Sequence, residues 1–72
     1  MTNVVLLEEK IKASGKKKSY LAKQLNVSRA GFRNLCAGKS EFRTSQVQIL
    51  CNELNIVDAE EKEAIFFAAN VA

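Results

Sequence analysis

The chain has no proline and no histidine, and only three glycines and two cysteines among its 72 residues. Without proline, and with little glycine, nothing forces a break in a helix, so the composition is markedly helix-permissive. With 47% hydrophobic and 26% charged residues it is that of a folded globule, which excludes a disordered or collagenous chain. With no histidine to help them, Cys36 and Cys51 cannot complete a four-ligand zinc site, and a reducing cytosol would keep both as thiols. They read as small core residues, and no metal or cofactor is expected. No apolar run approaches the roughly 18–20 residues that span a bilayer. Met1-Thr2-Asn3 also lacks the basic stretch that opens a secretory signal, so the expectation is a cytoplasmic protein with no membrane partner. A chain this short buries only about 60% of its unfolded surface. One domain over residues 1–72 is therefore expected, and a large enzyme with a deep cleft is excluded.

The net charge of +3 says little, but its distribution says more. From Lys10 to Arg43 there are ten basic residues against the single acid Glu41, a balance of +9. The rest of the chain sets Lys62 against seven acids, a balance of −6. A basic stripe on a small domain is the electrostatic footprint of phosphate binding. The triplet Lys16-Lys17-Lys18 taken alone reads equally well as a solvated loop.

Hydrophobic spacing predicts five short helices and no strands. Val4, Leu7 and Ile11 recur at helical spacing behind Thr2 or Asn3 as cap, with Gly15 as C-cap, giving a helix over about Asn3 to Ser14. Ser19 or the lysines before it open a second helix that buries Leu21, Ala22 and Leu25, and Asn26 ends it by tolerating the left-handed conformation. Ser28 caps a third, with Phe32, Leu35 and Cys36 inward and Gly38 past its end. After the loop Lys39 to Arg43, Thr44 or Ser45 caps a fourth that buries Val47, Leu50, Cys51 and Leu54, with Ser45 and Gln48 spaced as a capping box. Asp58 and Glu61 are spaced as a second box, opening a helix through Ala64 to about Asn70.

The informative stretch runs from Leu21 to Leu35. Two helices joined by a short turn pack closely only where a small residue sits at their approach, and Ala22 is that residue; Phe32 and Leu35, ten and thirteen positions later, close the wedge. This spacing resembles the helix-turn-helix of the lambda/434-type Cro and repressor family, with Asn26 where glycine is commoner. Lys17-Lys18-Ser19-Tyr20-Leu21-Ala22, Gly38-Lys39-Ser40-Glu41-Phe42 and Ile65-Phe66-Phe67-Ala68 narrow the likeness to small Cro-like regulators of temperate phages of Gram-positive bacteria. That group includes modulators of repression, which act on or with the phage repressor.

The resemblance implies an all-α, five-helix Cro-like domain in the cytoplasm of a bacterial host. Its function would be transcriptional regulation of the lytic/lysogenic switch. Arg29, Ala30, Gly31, Arg33 and Asn34 would face base edges of double-stranded operator DNA, arginine suiting guanine and asparagine suiting adenine. Lys18, Ser28, Lys39 and Arg43 would hold phosphates. Ala30 and Gly31 leave that reading face bare, which favours either weak specificity or a protein target. The alternative is therefore an antirepressor that covers the repressor's DNA-binding domain.

Two further features need weighing. Gly38-Lys39-Ser40 is similar to the end of a phosphate-binding P-loop, but Arg33 stands where the motif needs its earlier glycine, and the segment ends a helix rather than following a strand. No nucleophile is paired with a base and the carboxylates mostly gather at helix starts, where the dipole explains them, so neither catalysis nor a small-molecule ligand is expected. Phe66 and Phe67 are neighbours that point about 100° apart on a helix. Either both tuck under the first helix, or one faces a partner, a second copy or the repressor.

Overall fold

The computed structural model describes residues 1–68. There Asn3 opens α1 (Val4–Ser14), its side chain accepting a hydrogen bond from the Leu6 amide at 3.3 Å, and Gly15 closes it. Val4 is only half-buried, and the helix buries Leu7 and Ile11. α2 (Lys18–Gln24) starts at the lysines with no side-chain cap and buries Leu21 and Ala22. α3 (Arg29–Cys36) starts at Ser28, whose Oγ accepts from the Gly31 amide at 2.9 Å, and buries Phe32, Leu35 and Cys36. α4 (Thr44–Leu54) buries Val47, Leu50, Cys51 and Leu54, and α5 (Ala59–Phe66) buries Ile65 and Phe66. No strand occurs among the described residues, and none of their helices is long and apolar enough to cross a membrane.

Three helices end in the same way. Asn26 after α2 and Asn55 after α4 both take φ 59°, and Gly38 after α3 takes φ 78°. The next residue's amide then turns back on the helix, Val27 to Ala22 O at 3.0 Å, Lys39 to Asn34 O at 3.0 Å and Ile56 to Cys51 O at 2.9 Å. This satisfies carbonyls the helix leaves open. Gly38 has a second constraint, because a Cβ there would lie 3.3 Å from Val4 Cγ1 as well as forcing a side chain into the left-handed region.

Both expected capping boxes fail. α4 begins at Thr44 with Arg43 as N-cap, and the Gln46 side chain accepts from the Arg43 amide at 2.8 Å, so the pairing of Ser45 with Gln48 falls one residue inside the helix. At α5, Asp58 Oδ1 accepts from the Glu60 amide at 3.0 Å, but Glu61 pairs with Lys10 at 3.0 Å instead of reaching back. α5 also stops at Phe66, short of the expected Asn70. Phe67 leaves the helix at φ −125°, ψ 34°. The Ala68 amide then donates to Met1 O at 3.0 Å, beside the bond from the Asn3 amide to Ile65 O at 2.7 Å. Asn70 itself lies outside the described residues.

One cluster of side chains from all five helices forms the core, with Leu7, Leu21, Phe32, Val47, Leu50 and Ile65 fully enclosed. Each such side chain stabilises the fold by about 1.5–3 kcal/mol. Both cysteines are buried thiols. Phe66 belongs to this core rather than to a partner surface: it is 3% exposed and meets Phe42 edge to face at 5.4 Å between ring centres. Phe67, one residue past the helix, is 51% exposed. Thr2 is buried, and its Oγ1 has no hydrogen-bond partner among the described residues. The fold measures 28 × 24 × 21 Å.

Candidate nucleic-acid interface

α2 and α3 pack on each other more extensively than any other two helices, meeting where Ala22 is 2% exposed and Phe32 is likewise enclosed. Burying Phe32, Leu35 and Cys36 turns the opposite side of α3 to solvent. At about 100° per residue that face is centred on Ala30, Asn34 and Ala37, with Arg29 and Arg33 along one flank. All five are exposed. Gly31 departs from the expected reading face: it is half-buried towards the turn, and a Cβ there would lie 3.1 Å from Ser28 Oγ. The cap that starts α3 occupies the space a side chain at Gly31 would need.

The fold brings Lys18, Arg29 and Arg33 around one concavity, with Glu8, Ser19 and Cys36 in its walls. Ser28 and Arg29 border a second, adjoining concavity with Ser19, Lys23 and Asn26. Lys39 and Arg43 are exposed in the connection to α4 and line neither. Glu8 is not among the residues the sequence assigns to the site, Ser19 figures there only as a candidate cap, and Lys23 only as one cation of the basic segment. Ser19 and Lys23 are four apart on α2, one turn beside the arginines, a spacing that could have revealed them. Nothing local marks Glu8, which lies on α1 and arrives only by tertiary packing.

The acidic remainder of the chain folds back on the basic segment. Lys10 pairs with Glu61 at 3.0 Å, Lys16 with Glu53 at 2.9 Å and Lys18 with Glu8 at 2.8 Å. Glu41, the acid inside that segment, lies 3.6 Å from the N-terminal ammonium. Among the described residues the other basic groups of the segment, including Arg29, Arg33, Lys39 and Arg43, have no ion pair. Lys16 Nζ also donates to the Glu53 carbonyl at 2.7 Å, and Tyr20 Oη donates to Glu53 Oε1 at 3.1 Å. The Lys16 hydrogen bond, aided by Tyr20, holds the Glu53 carboxyl below the usual range, and the same carboxylate pushes the Tyr20 phenol up.

Two guanidiniums on one helix flank, with an ammonium nearby, can hold phosphate oxygens, a guanine edge or protein carboxylates. Cys36 adds no nucleophile, because burial pushes its thiol up to about 11, with Lys18 opposing the shift. Among the described residues no three His, Cys, Asp or Glu side chains come together as metal ligands would. Compared with protein-family models, with curated proteins and with solved structures, the chain finds no match in any of the three.

Proposed function

We propose that this protein is a phage-type helix-turn-helix transcriptional regulator of the lytic/lysogenic switch, a binding protein without catalytic activity. In this reading α2 and α3 are the two helices of the motif. α3 enters the major groove of operator DNA, and Arg29, Arg33 and Asn34 address base edges beside Ala30. Lys18, Ser28, Lys39 and Arg43 hold phosphates. The observation that carries the reading is the exposed flank of α3, where Arg29 and Arg33 stand with no paired acid among the described residues, beside Lys18. The test is a fluorescence titration of duplex DNA across a salt series. Log affinity should fall with log salt by about 0.9 for each phosphate neutralised. A flat response removes direct DNA binding as the activity.

A second reading is an antirepressor whose main target is the DNA-binding domain of the phage repressor. Two observations favour it. The centre of the α3 face carries the small side chains Ala30 and Ala37 beside Asn34, and Lys18 is already engaged by Glu8. Operator binding by the protein alone would then stay near the nonspecific level of roughly 10⁻⁴ to 10⁻⁶ M. Calorimetry with the repressor domain separates the two readings: binding heat that Arg29→Ala or Phe67→Ala removes supports the second. Tight, sequence-selective DNA binding with no such heat leaves the first.

A further inference from the structure

Between α1 and α5 runs a shallow groove on the other side of the molecule. Leu6, Ala13, Ala64 and Ile65 line it together with the acids Glu9, Asp58, Glu60 and Glu61 and a single cation, Lys10. That ammonium is already engaged by Glu61 at 3.0 Å. Asp58 caps α5. Glu9 and Glu60 are exposed and have no ion pair among the described residues. A partly apolar groove edged by carboxylates accepts a helix that carries a basic flank.

The chain itself carries such a helix face. The exposed side of α3 places Ala30, Asn34 and Ala37 at its centre and Arg29 and Arg33 along one flank, opposite to the groove in charge. The two surfaces cannot meet within one molecule. Glu8 of α1 borders the concavity beside α3, whereas Leu6 and Ala13 border the groove. At 100° per residue these positions lie about 140–160° apart around α1.

We infer that the α1–α5 groove is a docking site for α3 of a second copy of this chain, so that the protein associates with itself head to tail. The contact joins two different surfaces, and each bound copy still offers one of each. Association therefore extends beyond a pair unless the rotation closes into a ring. It is electrostatic in origin and salt-sensitive. It also covers Arg29 and Arg33, so self-association and any other use of that face exclude one another. The inference stands on charge and does not depend on DNA being the ligand.

Sedimentation equilibrium of the full chain tests it. At an ionic strength of about 0.01 M, where charges act over about 30 Å, the average mass should rise above 8.0 kDa with protein concentration. At about 1 M, where the range is about 3 Å, it should return to 8.0 kDa. Two double variants at exposed positions sharpen the result. Glu9→Lys with Glu60→Lys disables the groove, and Arg29→Ala with Arg33→Ala disables the helix face; each alone should stay monomeric, with an unchanged circular dichroism spectrum. Mixed in equal amounts they should reach twice the monomer mass and stop there, because each retains one working surface. A wild-type mass of 8.0 kDa at every concentration and low salt overturns the inference. So does a mixture that stays monomeric, or an association indifferent to salt and to both variants, which would point to an apolar contact such as Phe67. Capture of a basic helical peptide by a wild-type chain that remains monomeric would assign the groove to another protein.

Discussion

Glu8 Oε1 lies 2.8 Å from Lys18 Nζ, so α1 supplies an acid to the lysine that stands nearest the arginines of α3. Both side chains are about half exposed, and such pairs are worth about 0.2–1 kcal/mol. A phosphate at Lys18 must displace that carboxylate. On the proposed DNA-binding reading, Glu8→Gln should therefore raise affinity for nonspecific duplex DNA by about 1.4- to 5-fold and steepen the salt slope by up to about 0.9. Parallel titrations of the two proteins check this. Unchanged affinity and slope would mean that Lys18 takes no part in phosphate binding.

Ser28 and Gly31 should couple energetically. Gly31→Ala gains about 1 kcal/mol of helix propensity, but its Cβ arrives 3.1 Å from the hydroxyl that caps the helix. Ser28→Ala alone should cost about 1 kcal/mol. In the Ser28→Ala background the crowding is gone, so Gly31→Ala should stabilise more there than in the wild type. Urea unfolding of the four proteins in the cycle measures the difference, and strict additivity would count against the crowding.

Acid stability should depend on Glu53. Its carboxyl titrates below the usual value because Lys16 and then Tyr20 hydrogen-bond to it. The unfolded chain thus takes up this proton at a higher pH than the folded one does. The contribution is present above the ordinary glutamate value, about 4.3, and fades as pH falls through the folded value. Glu53→Gln should lower the urea midpoint at neutral pH and converge on wild type in acid. Parallel curves over the whole range would show that the Lys16–Glu53–Tyr20 contact contributes nothing to folding.

Cys36 should resist thiol reagents. Burial holds its thiol up to about 11, so little thiolate exists at pH 8. Modification should run at a rate set by opening of the fold and accelerate in urea in step with unfolding. Modification at the rate of a small free thiol, in the folded protein, would contradict that burial.

Thr2→Val should stabilise the protein. The Thr2 hydroxyl is buried with no partner among the described residues, and valine keeps the shape while removing a group whose burial costs about 1–3 kcal/mol. A lower thermal midpoint for Thr2→Val would reveal a partner for the hydroxyl.

How much of this was legible in the sequence depends on the range of the interaction. The inward faces of α2, α3 and α4 were readable residue by residue, because 3.6-residue spacing and burial are the same information. Asn26, Ser28 and Gly38 announced their turns because few residue types tolerate those backbone positions. The capping boxes were misread because spacing alone does not say which residue opens the helix, and at α5 a distant lysine competes for Glu61. Charge was the least legible. The basic segment was visible as a run, but its neutralisation by Glu8, Glu53 and Glu61 depends on how α1, α4 and α5 pack. Gly31 looked like part of an open face because a helical wheel does not include the hydroxyl of its own cap.

The hydrogen bond from the Ala68 amide to Met1 O brings residue 68 back to residue 1. Synthesis delivers the first residues long before the last, so α1 leaves the ribosome without the α5 backbone that the Asn3 amide binds. The residues that open α1 cannot take their final hydrogen bonds while α5 is still being made. The start of α1 therefore reaches its final hydrogen bonds only after α5 has formed. A product of translation interrupted before Ile65 would lack that partner and the Ile65 and Phe66 side chains of the core, which leaves it more open to proteolysis.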